Sequence, residues 1–215
     1  VMLRCAIVIT FWKQVITMRE SKGADVLRGA REVFLKCGFE GASVDAIAEQ
    51  AKVSKATLYA RFSSKDRLFL SVLRAECDRL SEEICRPLSN LGNAQDALEE
   101  LSRRMIGLVM DEGYIRLLRV CIGAVPVLPE AGEIYMDAGP TRAITHVAQI
   151  LKDLHETKSL NVENVQNAAS QFIHLSISDV IMPRLLAVDQ PVDASEHSKR
   201  AVDAFLAVYG RRNDL

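Results

Sequence analysis

Apolar residues recur at intervals of three and four through nearly the whole chain, while the alternation of half-buried strands and the Asn-Gly or Asp-Gly turns of β-hairpins are missing. That periodicity predicts an all-α fold. With 215 residues, 49% of them hydrophobic and 26% charged, the chain is long enough to bury a sizeable core as one large domain or two small ones.

The pattern predicts a first helix over about 25–37, carrying Val26, Ala30, Val33, Phe34 and Cys37 on one face, with Gly38 as its stop. Two short helices follow within SVDAIAEQAKVSKATLYARF, residues 43–62. Ser43 and Ser54 stand at their N-caps, and Lys52-Val53-Ser54 breaks the pattern between them. A longer helix runs from about 64 to 86 and is stopped by Pro87, giving it the look of a strut. Further helices are predicted at about 94–111, 114–124, 140–157, 163–186 and 194–209, and 126–139 reads as a connection because it carries Pro and Gly. The organisation is then an N-terminal extension or arm (1–21), a two-helix unit with its linking helix (22–86) and a helical second domain (87–215).

Net charge hides an asymmetry. Residues 22–86 hold twelve Lys and Arg against ten Asp and Glu, whereas 87–215 hold twelve against seventeen. Between 52 and 67 the bias sharpens, with Lys52, Lys55, Arg61, Lys65 and Arg67 facing only Asp66. Two helices joined by a tight turn form a helix-turn-helix, whose second helix fits a DNA major groove about 12 Å wide. Thr57, Tyr59, Arg61 and Lys65 offer donors and cations to phosphates, Lys55 can reach base acceptors, and Ala56 can touch a thymine methyl. Spacing alone leaves an ordinary αα-corner with a solvated basic face open.

The five cysteines are odd in number and scattered, with no C-x-x-C pair, which predicts reduced thiols and a cytoplasmic setting. The four histidines are dispersed and none stands at metal-ligand spacing, so no metal and no cofactor is expected. No G-x-S-x-G elbow, H-E-x-x-H or Gly-rich phosphate loop occurs, and no catalytic residue is assigned. The apolar run 5–12 is too short to span a bilayer and lacks a cleavage site, so neither a membrane partner nor secretion is expected. Residues 1–21 read either as an upstream extension, with a natural start at Met18, or as an arm packing on the body or on a neighbour. Asp179, alone in an apolar helix, is expected to pair with a nearby Arg such as Arg184, orienting a ligand being the alternative.

The stretch VLRGAREVFLKCGFEGASVDAIAEQAKVSKATLYARFSSKDRLFLSVL resembles the DNA-binding domain of the TetR family of bacterial transcription regulators. The resemblance rests on a first helix ending in Gly-Phe, on Gly41 and Ser43 before the second helix, on VSKATLY at the recognition helix and on an F-x-S-K-D connection. It implies phosphate contacts from Ser43, Thr57 and Lys65, base-side positions for Lys55 and Ala56, and a phosphate or base edge for Tyr59 and Arg61, with Ser54 in the same interface. Ala56 stands where the family often has Gly, and Ala60-Arg61 where it often has an aromatic-His pair.

EIYMDAGPTRAITHVAQILKDL and QFIHLSISDVIMPRLLA resemble, more weakly, the ligand-binding domain of the AefR-like branch of that family. The implied protein is a dimeric repressor released from a palindromic double-stranded operator by a small hydrophobic effector. A helical small-molecule carrier or interaction module that does not touch DNA is the alternative. The expected pocket draws on Met105, Val109, Leu118, Cys121 and Phe172, with Tyr114, His146 or His174 as polar contacts. The expected homodimer interface uses Ile173, Ile177, Ile181, Val202, Phe205 and Tyr209.

Overall fold

The computed structural model describes residues 23–88 and 93–211; the readings made for 1–21, and Cys5 with them, lie outside that range. The described residues form ten α-helices and no named strand. The first three are α1 (residues 23–41), α2 (Val44–Gln50) and α3 (Lys55–Tyr59). α4 spans Lys65–Ile84, α5 Ala94–Met110, α6 Glu112–Ala124 and α7 Glu130–Met136. The last three are α8 (Arg142–Glu156), α9 (Val165–Leu185) and α10 (Ala194–Tyr209).

Three serines start three helices. The hydroxyls of Ser43, Ser54 and Ser64 each accept a backbone N–H, from Ala46, Thr57 and Arg67, at 3.1 Å. Each such cap is worth about 1 kcal/mol. The helical turns of α1 continue past the expected stop to residue 41, although Gly38 does take the left-handed conformation at φ +74°. Inside the unit, Phe69 of α4 meets Phe34 and Phe39, each at 5.0 Å between ring centroids, and Leu58 of α3 is fully buried. Gly29 is required by close approach: a Cβ there would stand 2.7 Å from the backbone nitrogen of Ala51. α1 and α2 touch without an intervening side chain.

α4 belongs to two cores. Its first half and middle, Leu68 to Leu80, join a cluster that runs from α1–α3 on to Leu117, Cys121 and Ala124 of α6 and Ala131 and Ala138 beyond. Its last residue, Ile84, joins a second cluster built by α5, α8, α9 and α10. In that second cluster Phe172 of α9 meets Phe205 of α10 edge-on at 5.1 Å. The α8–α9 loop is pinned to the end of α10 by Asn161 N donating to Tyr209 O at 2.8 Å.

The segment expected as a connection, 126–139, is largely helical. α7 passes into α8 through a π-helical stretch, Asp137–Thr141, which contains Pro140. A proline in an α-helix removes one backbone hydrogen bond and crowds the preceding turn, and the wider π geometry accommodates it. Proline and glycine thus mark a change of helical pitch here, not a loop. No helix among the described residues is long and apolar enough to cross a membrane.

Candidate functional site

α3 separates its residues cleanly. Leu58 packs inward at 0% exposure, while Ser54, Lys55, Ala56, Tyr59, Ala60 and Arg61 are exposed on the outside, Tyr59 at 50%. Ser54 Oγ lies 2.9 Å from Thr57 Oγ1; the two hydroxyls share one hydrogen, so the pair keeps another to donate outward. Ser43 Oγ accepts from Ala46, and its own hydrogen is likewise available. Lys55 pairs with Asp45 of α2 at 2.5 Å, both being well exposed. Such a surface pair contributes at most about 1 kcal/mol, so an incoming phosphate or base can displace it. The guanidinium of Arg61 lies across Gly23 at the start of α1.

Lys65 departs from expectation. Its ammonium donates to the carbonyls of Phe39, Glu40 and Ala42 at 3.0, 3.3 and 3.2 Å, and it stands 4.6 Å from the centroid of the Phe39 ring. An ammonium has three hydrogens, and three carbonyls at the end of α1 accept them. Lys65 is therefore a clamp joining the end of α1 to α4, with its three hydrogens engaged by the protein's own carbonyls.

A cavity of about 480 Å³ lies on the other side of α4. Cys77, Leu80, Ser81 and Ile84 of α4 form one wall and Met105, Leu108 and Val109 of α5 another, with Tyr114 from α6. Tyr135, Met136, Gly139 and Pro140 close it from α7 and the π-helical stretch, Ala143 and Ile144 from α8. α9 contributes Ser170, Ile173, His174, Ile177 and Ile181. The two exposed members, Met136 and His174, mark its mouth. Inside, the hydroxyls of Tyr114 and Tyr135 stand 2.6 Å apart. Burial pushes both phenols up in pKa, Tyr135 furthest, with Tyr114 beside it adding to the shift. Burial likewise pushes the Cys77 thiol up to about 12, so it is protonated at neutral pH.

Three ties fasten the π-helical stretch to α4. Ser81 Oγ donates to Ala138 O at 2.8 Å, Arg74 pairs with Asp137 at 3.1 Å, and Arg142 pairs with Asp78. The cavity wall at Gly139 and Pro140 is thereby bound to the helix that carries the Phe69 cluster.

Comparison with known proteins fits this layout. Residues 26–72 match the family described as "Bacterial regulatory proteins, tetR family", and residues 96–211, more than half of the chain, match "AefR-like transcriptional repressor, C-terminal domain". The chain belongs to the TetR family. The flavonoid-responsive regulator FrrA is 30% identical, with a TM-score of 0.77 over 90% of this chain and 99% of that one. A TetR-family regulator from Mesorhizobium loti MAFF303099, 23% identical at TM-score 0.80 over 90% of this chain and 98% of that one, shares the fold. The transcriptional activator FasR of Mycolicibacterium smegmatis is 44% identical over 62 residues, which are 29% of this chain and only 28% of its own length. As a TetR-family protein the chain is a helix-turn-helix transcriptional regulator.

Within that frame the expected pocket needs correcting. Met105, Val109, Tyr114 and His174 line the cavity. Leu118, Cys121, Phe172 and His146 do not. Cys121 is buried in the first core with its thiol donating to Ala131 O at 3.5 Å, and Phe172 is taken up by Phe205. Leu118 is buried away from the cavity, and Nε2 of His146 is buried without a partner, burial and then Arg104 lowering its pKa. The expected interface changes too. Ile173, Ile177 and Ile181 face the cavity; Val202 and Phe205 are at 0% exposure inside the second core. Tyr209 packs on Phe205 at 4.7 Å and donates to Gln171 at 2.5 Å. Arg184 pairs with Glu112 at 2.5 Å, not with Asp179.

Sequence reasoning missed Tyr135, Cys77, Ser81 and the Gly139–Pro140 wall. The signal for Tyr135 was its place at helical spacing between Ala131 and Gly139 in a segment set aside as a connection.

Proposed function

We propose that this regulator is a homodimeric repressor, held on a two-fold operator by α3 and released when a small, mainly apolar molecule occupies the cavity. The observation that carries the reading is the double membership of α4. One end packs against α1 through Phe69, and the other walls the cavity through Cys77, Leu80 and Ile84. The repressor description of the matched C-terminal domain and the flavonoid response in FrrA's name support both halves.

On DNA, Lys55 and Ala56 face base edges, while Ser43, Ser54, Thr57, Tyr59 and Arg61 serve the backbone. A second copy supplies the other half-site. The outward side of α9 and α10 suits that contact, because Leu175, Met182, Leu186 and Val208 are 41, 56, 68 and 71% exposed there and Ala204 and Ala207 allow close approach. Exposed apolar area of this kind marks an interaction surface. Two recognition helices about 34–36 Å apart would then enter successive major grooves.

The effector acts by preferring the dimer arrangement that does not fit the operator, and by reciprocity the operator weakens the effector by the same factor. The ties from Ala138, Asp137 and Arg142 to α4 are the route, since a molecule pressing on Gly139 and Pro140 pulls on Ser81, Arg74 and Asp78. The test is operator affinity by gel shift on DNA neighbouring the gene, repeated with compounds that raise the melting temperature. Stabilising compounds that never alter operator affinity would refute release by effector, and a monomer at micromolar concentration would refute the two-fold operator.

A further inference from the structure

From the chemistry of the cavity wall we infer that the effector is an uncharged molecule with a hydrocarbon body and a hydroxyl or carbonyl at one end, held there by the Tyr114–Tyr135 pair. The inference rests on the effector reading above and names the class of molecule for that site.

The lining excludes charge. Among the nineteen lining residues none is Asp, Glu, Lys or Arg. A carboxylate carried inward past His174 at the mouth would lose its water with no Lys or Arg to replace it, a cost that the apolar contacts do not offset. Burial raises the Cys77 thiol and the Tyr135 phenol above their ordinary pKa values, in keeping with a wall shielded from water.

The lining holds few hydrogen-bonding side chains. Ser81 donates its hydrogen to Ala138 O, and His174, at the exposed mouth, has Nδ1 engaged with Ser170 O at 2.7 Å, with the Ser170 hydroxyl beside it. The tyrosines differ. Their two hydroxyls have two hydrogens and share one contact, so whichever phenol donates to the other, one O–H remains to donate and lone pairs remain to accept. A ligand hydroxyl or carbonyl can use both capacities without breaking the pair. Around it stand Leu80, Met105, Leu108, Val109 and Ile177, which offer only apolar contact. The volume, about 480 Å³, lies within the ~300–1,000 Å³ of small-molecule sites.

Three probes of one skeleton separate the alternatives: 4-phenylphenol, biphenyl and biphenyl-4-carboxylate, titrated calorimetrically into the full chain at pH 7. The phenol is expected to bind at least about tenfold tighter than biphenyl, the factor of one well-made hydrogen bond, and the carboxylate weaker than both. The double variant Tyr114→Phe/Tyr135→Phe should bring the phenol-to-biphenyl ratio to within about threefold of unity while leaving biphenyl affinity in place, which reports an intact cavity, whereas either single variant keeps one hydroxyl that can still donate and accept. Equal affinity for phenol and biphenyl, a carboxylate that binds as well as the phenol, failure of all three to bind, or an unchanged ratio in the double variant would each overturn the assignment. A phenol that binds as expected without weakening operator binding would leave the ligand class standing and remove the effector reading.

Discussion

On one side of α4 the residues with chemistry point outward, and on the other they point inward. In the helix-turn-helix, Leu58, Ile47 and Phe69 are fully buried so that Lys55, Tyr59 and Arg61 can stand in solvent. In the C-terminal half, Met105 and Val109 are nearly as buried as any core residue, yet they border empty space. A surface that must meet DNA is specified by its polar residues; a surface that must meet an apolar molecule is specified by what the packing leaves unfilled. The first is written locally and the second only in three dimensions.

The sharpest way to break the comparison is to damage one core at a time. Phe69→Ala removes the ring shared by Phe34 and Phe39 and is expected to cost about 3–5 kcal/mol. Because that cluster continues through α4 to α6 and α7, DNA binding and 4-phenylphenol binding should be lost together. Phe172→Ala should cost a similar amount in the second cluster but leave the Phe34–Phe39–Phe69 group standing. Denaturant unfolding followed by a probe in each half checks this. If Phe172→Ala also abolishes operator binding at temperatures where the chain is folded, the two cores are not separable as described.

The same contrast explains what could be read from the sequence. Helices α2 to α4 were legible because capping serines, a break of three residues and an apolar stripe all lie within a few residues of one another. α9 was not. Its apolar residues face three ways: Phe172 and Val180 into packed core, Ile173, Ile177 and Ile181 into the cavity, Leu175 and Met182 into solvent. Hydropathy records that each side is apolar and cannot say whether a neighbour, a ligand or a second copy covers it. Tyr135 was hidden for another reason, since Pro140 and Gly139 carry the usual marks of a loop and the π-helical stretch is set by tertiary ties from Ser81, Arg74 and Asp78.

Middle-sized effects follow from spacing and from the clamp. Gly29→Ala puts a methyl within 2.8 Å of Ala51 Cα and should cost about 1–3 kcal/mol, with a loss of operator affinity as α2 shifts. Lys65→Met keeps the chain length but removes three hydrogen bonds to α1, and a partly exposed site sets the expected loss at about 1–2 kcal/mol by thermal unfolding. Lys55→Ala should change stability by less than about 0.5 kcal/mol, as an exposed pair, yet cost about 1–3 kcal/mol at one operator position. A lysine at 55 that matters for folding and one at 65 that matters only for DNA would reverse the assignment of the two.

The smallest effect expected is on pH dependence, and it separates the inward side from the outward one. Cys77 and Cys121 have their pKa values raised by burial, from 9.0 to about 12 and about 11, while Cys37 is exposed. Below about pH 8 both buried thiols are protonated in the folded and the unfolded chain, so they add no pH dependence. As pH rises through 9 the unfolded chain ionises them and the folded chain does not, so the unfolded state binds fewer protons and stability falls as pH rises. The melting temperature should therefore be flat in this respect from pH 7 to 8 and begin to drop between about 8 and 9, before most free phenols titrate. Cys121→Ala, which lies off the cavity, should reduce that drop, and Cys37→Ala should leave it unchanged. Equal drops in the two variants would mean that the core around α4, α6 and α7 admits water, and the inward side would lose the dryness on which its choice of an uncharged ligand depends.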